Sequence, residues 1–181
     1  TRKESSAASD VYKRQIYDLR RLINVDDKIT IINEKDITPT HKHIHDPYEY
    51  YKKEVTPRSD FKQCYVAIYE IPPMKSNYPY HYHEENTEVF YIIEGNGILI
   101  TRDGLIELKA GDTIVCPPGE QGVHKITNTS TDSMLKYLDV DTTNSPDIIH
   151  YPDSDKIGII KHNKSADFYK NNATLDYYEG E

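Results

Sequence analysis

With 181 residues and a formal charge of −8, from 30 acidic and 22 basic side chains, the chain has room for one domain with a sizeable core. A negative chain without a basic block is a poor partner for a phosphate backbone, and no apolar run approaches the roughly 20 residues of a spanning helix, so direct nucleic-acid binding and membrane insertion are not expected. Cys64 and Cys116 are too few for a disulfide framework and lack a zinc spacing, so a reducing, cytoplasmic setting is expected.

Residues 1 to 15 (TRKESSAASDVYKRQ) have no apolar period and are rich in Ser, Ala and charge, the composition of a disordered tail. The string resembles translated adapter or vector sequence and is set aside as non-native, with native sequence expected from near Ile16. Residues 16 to 60 read as an N-terminal arm, in which Lys28 to Ile32 is the most β-like part. His41, His43 and His45 alternate between Pro39 and Pro47 and would share one face of an extended segment. A second metal site is one reading of these histidines. A solvated arm is preferred, because no acidic or cysteine ligand follows at a useful spacing.

From Phe61 the pattern becomes regular. Strands are expected at Cys64 to Ile71, Tyr78 to His83, Glu88 to Ile93, Ile98 to Arg102, Leu105 to Leu108, Thr113 to Cys116, His124 to Thr127 and Met134 to Asp141. Turn signals separate them: Pro72-Pro73, Gly95-Asn96-Gly97, Asp103-Gly104, Ala110-Gly111-Asp112 and Pro117-Pro118-Gly119. Short strands at this spacing predict an all-β sandwich or barrel over residues 61 to 143. Residues 144 to 181 form a C-terminal extension rich in Asp, Asn, Lys and Tyr, with Ile157 to Ile160 its only stretch apolar enough to pair as a strand.

The chemistry concentrates in HYHEENTEVFYIIEG, residues 81 to 95. His81 and His83 are two apart and point to one face of a strand. If the following strand pairs with theirs as a hairpin, Glu88 faces back toward them, giving two imidazoles and a carboxylate for a divalent transition metal. A second stretch, Gly111 to Gly119 with His124 and Asn128, has ordinary explanations piece by piece: turns, a strand stop, a polar rim residue.

Together the two stretches resemble the cupin motifs. HxH, four residues, Glu, six residues, Gly is matched by His81, His83, Glu88 and Gly95. Gly, five residues, P-x-G, a short gap, His, three residues, Asn is matched by Gly111, Pro117, Gly119, His124 and Asn128. The glycine that often opens the first motif is absent, and four residues separate Gly119 from His124, slightly more than usual. The resemblance implies a double-stranded β-helix, or jelly-roll barrel, with N- and C-terminal extensions. It also implies a metal held by His81, His83, Glu88 and His124, and a homodimer. Three neutral imidazoles and one carboxylate suit Fe, Mn, Ni or Zn rather than Ca or Mg, which prefer oxygen shells. Phe90 and Ile92 share the face of Glu88 and are expected to wall the pocket, and Cys116 reads as a buried small hydrophobe.

Cupins resemble one another across oxygenases, decarboxylases, isomerases and non-catalytic binders. The expected function is enzymatic, on a small oxygen-bearing organic substrate chelated at the metal, with Glu85, Tyr91 and Glu120 as candidates for proton transfer. The alternative is a non-catalytic module that binds a sugar or organic acid as a sensor.

Overall fold

Strict alternation of inward and outward side chains makes β3 (Cys64–Ile71) and β10 (Leu135–Thr142) the centre of the larger sheet. Tyr65, Ala67, Tyr69 and Ile71 turn inward from β3, and Leu135, Tyr137, Asp139 and Asp141 from β10. The two strands pair antiparallel without interruption from Leu135 opposite Ile71 to Thr142 opposite Cys64. The computed structural model describes residues 29–56, 63–162, 164–172 and 174–181. The chain divides into two units, Thr1–Asn33 and Glu34–Glu181. The tail expected over residues 1 to 15 lies outside the described residues. Of the first unit only residues 29–33 are described, and they carry no strand. The β-like composition of Lys28 to Ile32 is thus not realised over Ile29 to Ile32, since β-propensity is expressed only where a neighbouring strand supplies packing.

In the second unit, β5 (Glu88–Glu94) lies on the other side of β10, and β8 (Thr113–Cys116) lies beyond β5. The opposite flank of β3 is covered by β2 (Tyr48–Thr56) and then β1 (Thr40–His45), giving the order β1-β2-β3-β10-β5-β8. A second group contains β4 (Tyr82–His83), β11 (Asp147–Tyr151), β12 (Lys156–Ile160) and β13 (Asp167–Lys170) in the order β13-β12-β11-β4. A third contains β6 (Asn96–Thr101), β7 (Gly104–Lys109) and β9 (His124–Asn128) in the order β7-β6-β9. An antiparallel bridge between His81 and His124 joins the last two groups into one wall. The core fills the space between the walls, with Tyr69, Ile71, Phe90, Ile92 and Tyr137 on one side and Leu99, Leu108 and Ile126 on the other. This is the all-β double-stranded β-helix that the resemblance of the two motifs implies.

The predicted strands Cys64 to Ile71 and Thr113 to Cys116 coincide with β3 and β8. The strand expected from Tyr78 shrinks to Tyr82–His83, preceded by the bridge at His81. Pro79 contributes no N–H to a ladder, and its carbonyl is taken by a side chain. The arm pairs as the β1–β2 hairpin, with all six residues of β1 exposed. After Asn144 three strands form where only Ile157 to Ile160 had apolar character, because β11 begins with a buried aspartate, Asp147, that a hydrophobic pattern does not register.

Asn128, the last residue of the second motif, is fully buried and works as a buckle. Its Nδ2 donates to the carbonyls of Ile71 and Ser133, both at 2.8 Å, and its Oδ1 accepts from Ser130 N–H at 2.9 Å. Gly95, the last residue of the first motif, has φ +89°, and a Cβ there would stand 2.3 Å from the Met134 carbonyl oxygen. Both motif ends therefore fasten the same loop before β10. Asn128→Ala strands the buried carbonyl of Ile71 and is expected to cost on the order of 1–3 kcal/mol in urea unfolding. The exposed neighbour Thr129→Ala should stay within about 0.5 kcal/mol.

Candidate metal centre

His83 enters the barrel interior from β4, His81 from the bridge position just before it, His124 from the start of β9, and Glu88 from the start of β5. The hairpin expected to bring Glu88 to the histidines does not form, because β4 and β5 belong to different sheets. The edges of β4 are taken by β11 and by the His124 bridge, and Glu88 instead reaches across the interior from the opposite wall. His81 and His124 are direct cross-strand neighbours: His81 N–H donates to the His124 carbonyl at 3.1 Å, and His124 N–H returns the bond at 2.9 Å.

Each imidazole is fixed through Nδ1. His81 donates to the Pro79 carbonyl at 2.8 Å, His124 to the Gly122 carbonyl at 2.9 Å, and His83 to Asp147 Oδ2 at 2.5 Å. These acceptors place the proton on Nδ1 and leave Nε2 pointing inward, the arrangement that orients a metal-binding histidine. The three Nε2 atoms converge on one carboxylate: His81 lies 3.8 Å and His83 3.5 Å from Glu88 Oε1, and His124 lies 3.4 Å from Oε2. The ligand atoms of His81, Glu88 and His124 all fall within 4.8 Å of one another. All four side chains are buried, with Glu88 8% and His124 2% exposed.

The donor set fits a transition metal. Two donors each about 2.1 Å from one ion stand roughly 3 to 4.2 Å apart, depending on the angle between them, and the three Nε2–Oε distances lie in that range. His124 Nε2 is buried and makes no hydrogen bond. A buried polar atom in that state is costly, and a cation there would satisfy it.

Charge in the site is unevenly distributed. Burial disfavours the charged form of Glu88, but the imidazoles of His81, His83 and His124 around it outweigh that and hold the carboxyl well below its usual range. Burial pushes His124 down to about 4, so its ring is neutral. Burial also works against charging His83, but Asp147 and Glu88 overcome it and push that ring up to about 10. Asp147, itself buried, is held low by His83 and also accepts from Asn86 Nδ2 at 2.7 Å and Glu85 N–H at 3.1 Å.

A cavity of about 280 Å³ opens beside the site, with His81, His83 and Glu88 on one wall and Tyr65, Tyr69, Tyr78, Asp139 and Asp141 on the same lining. Residues from the C-terminal strands and the loop between them, including Ile149, Tyr151, Lys164 and Phe168, close its other side. None of the three sequence candidates for proton transfer lines it. Glu85 is exposed on the turn before β5, Tyr91 is 45% exposed on β5, and the exposed Glu120 pairs with Arg102 at 3.3 Å. Phe90 and Ile92 belong to the core rather than the cavity, although Phe90 packs on His124 at 5.3 Å between ring centroids. Cys116 is buried, and burial pushes its thiol up to about 12. His41 contacts Glu49 at 3.0 Å and stacks on Tyr51, and the arm histidines form no metal-ligand group among the described residues. Asp147 and the inward carboxylates of β10 escaped sequence reasoning. Alternation along β10 was the available signal, since it places Asp139 and Asp141 on the face of Tyr137.

The Cupin_2 model, the cupin domain, matches residues 67–141. The fold agrees with solved cupin structures. Residues 67–141 thus form a cupin domain. A sugar phosphate isomerase from the cupin superfamily of Silicibacter pomeroyi superposes on this cupin with a TM-score of 0.70 at 19% identity, covering 82% of this chain and 98% of that one. A predicted oxalate decarboxylase of Thermotoga maritima gives a TM-score of 0.56 at 25% identity, covering 64% of this chain and all of that one. An uncharacterised protein of Methanocaldococcus jannaschii is 40% identical over 58 residues, which are 32% of this cupin and 45% of that protein. The matched part thus spans less than half the length of that relative.

Two outcomes follow for the centre. Asp147→Asn keeps the shape of the side chain but weakens its hold on His83, and is expected to reduce zinc or nickel affinity about 10- to 100-fold in chelator competition. Because His83 must lose its proton to offer Nε2 while His124 is already neutral, metal uptake releases about one proton below pH 10. Affinity should climb roughly tenfold per pH unit between about 6 and 9, read by calorimetry in buffers of different ionisation enthalpy.

Proposed function

We propose that this cupin is a metal-dependent enzyme acting on a small oxygen-bearing organic molecule, of isomerase, decarboxylase or oxygenase type. His81, His83, Glu88 and His124 would hold the divalent ion, Fe, Mn, Ni or Zn. The observation that carries this reading is the convergence of three Nδ1-locked imidazoles on Glu88 at the wall of a cavity. Such an ion supplies a Lewis acid that polarises a carbonyl or hydroxyl oxygen of a chelating molecule.

The chain's own groups supply the rest. Burial, with Glu88 nearby, pushes the Tyr151 phenol up to about 12, so it stays protonated at neutral pH and can donate to a substrate oxygen. Tyr69 and Tyr78 share a hydroxyl–hydroxyl hydrogen bond at 2.9 Å, and burial raises both well above the usual phenol range. Asp139 and Asp141 bring carboxylate oxygens to the lining, where they can accept from a hydroxyl or take a proton. Phe168 and Ile149 add apolar surface to the far side of the lining. The Thermotoga maritima relative, a predicted decarboxylase of a small oxygen-rich acid, is in keeping with this class of substrate.

The test is metal content beside turnover. Wild type should carry about one ion per chain, and His81→Ala and His124→Ala should each retain less than about a tenth of it with far-ultraviolet circular dichroism unchanged. Turnover of a panel of 1,2-diketones, enediols and aldoses, followed by NMR and oxygen uptake, should vanish in both variants. Saturable ligand binding that survives both substitutions without turnover in wild type would make the cupin a sensor instead.

A further inference from the structure

In sequence, His41 and His43 lack a carboxylate at a useful spacing. Pairing of β1 with β2 supplies one from across the hairpin: His41 Nε2 lies 3.0 Å from Glu49 Oε1. His43, two residues along the strand, stacks its ring on His41 with centroids 4.4 Å apart and planes 22° apart. Tyr51, the cross-strand partner of His41, stacks on the same imidazole at 4.1 Å and 9°. Glu49 is fixed at the start of β2, where its N–H donates to the Ser76 carbonyl at 3.0 Å. The nearby ammonium of Lys75 is paired with Asp46. The hairpin thus gathers two imidazoles and a carboxylate, the donor types of the barrel centre, on a different part of the molecule.

We propose that His41, His43 and Glu49 bind a divalent transition ion on the surface of the arm, a second metal site separate from the barrel centre. Donors each about 2.1 Å from one ion stand roughly 3 to 4.2 Å apart, and the His41–Glu49 pair already has the shorter of these separations. The three donors do not yet close on one point, because the His43 ring lies flat on His41. Binding therefore requires His43 to turn out of the stack. The spacing permits this. In the barrel, the same HxH spacing holds His81 and His83 with planes 67° apart and both Nε2 atoms near Glu88. His43 is exposed on β1, where a change of rotamer displaces no core packing. Water fills the remaining positions of the ion. Imidazole donors select Cu, Ni or Zn over Ca or Mg, which prefer oxygen shells. Such a site loads and unloads without opening the barrel.

The experiment is equilibrium dialysis of the full chain against zinc, with bound ions counted by elemental analysis. His43→Ala breaks the chelate and should weaken one ion per chain about 100-fold, with the barrel ion kept and the urea midpoint unchanged. Glu49→Gln should weaken the same ion at least about tenfold. His81→Ala should leave the arm ion in place, which separates the two sites. In nitrogen-15 spectra of the full chain, zinc should shift the imidazole signals of His41 and His43 together, and should move neither in His43→Ala at the same concentration. Wild-type ion count and affinity in His43→Ala overturn the proposal, and do so independently of whether the barrel holds its metal. Wild-type affinity in Glu49→Gln overturns it as well, because the His41–Glu49 contact is then an ordinary ion pair.

Discussion

A carboxylate buried against three imidazoles is the constraint on which the rest of this cupin depends. Glu88 loses its hydration inside the barrel, and an ionised carboxylate is tolerated there only with close compensation. The compensation comes from three Nε2 atoms at 3.4 to 3.8 Å, each on a ring whose other nitrogen is already committed. The rings do not turn away to seek partners elsewhere, because turning would break the bonds to Pro79, Gly122 and Asp147. The Glu120–Gly122 turn shows how tightly one of these anchors is built. A Cβ on Gly122 would stand 1.8 Å from the Pro117 carbonyl oxygen, so only glycine lets the turn approach closely enough to aim its own carbonyl at His124. What is left is a buried cluster completed by a cation.

The cluster requires both walls of the barrel. Glu88 comes from the six-stranded sheet, and the histidines come from the wall opposite, where the bridge between His81 and His124 joins two smaller sheets. Asp147 adds a further dependence. It opens β11, which pairs with β4 through Ile149 opposite His83, and its carboxylate ties Nδ1 of His83 to Asn86 and the Glu85 backbone. Residue 147 lies beyond the stretch matched by the cupin domain, yet it touches a ring at the centre. Strands β11 to β13 therefore do more than cover the barrel: they orient one imidazole and supply the far wall of the cavity.

Much of this was legible in the chain. Period-two alternation located β3 and β10, and Asp103-Gly104 marked the β6–β7 turn, because both signals are local. The inward faces of His81, His83, Glu88 and His124 were legible too, through the fixed spacing of two motifs. The relation between the strands that carry them was not. A hairpin is the default for neighbouring strands, and sheet partners are chosen by long-range packing that spacing does not encode. Glu85, Tyr91 and Glu120 drew attention because they flank the motifs in sequence, whereas the cavity is lined from β3, β10 and β11, distant in sequence and adjacent in space. The loss of Ile29 to Ile32 as a strand has the same origin, since an apolar run becomes a strand only where a partner edge exists.

Strand β10 shows where core ends and site begins. Its inward residues run Leu135, Tyr137, Asp139, Asp141, from apolar to acidic within one strand. The lower pair belongs to the core: the Tyr137 ring stacks on Tyr69 at 5.2 Å, its edge meets Phe90, and its hydroxyl accepts from Asn77 at 2.7 Å. The upper pair faces the cavity beside Glu88. Tyr137 is thus a fixed floor, held by packing on one side and by a hydrogen bond on the other. Phe90 transmits that rigidity to His124, which it touches directly. Because the polarity changes along a strand paired on both edges, the depth of the cavity is set by register. A slip of one residue would turn Asp139 and Asp141 outward and bring Leu138 and Val140 into their place. Uninterrupted pairing of β10 with β3 on one side, and regular pairing with β5 from Tyr137 to Asp141 on the other, makes that slip prohibitive, so the scaffold that builds the core also fixes the chemical character of the site.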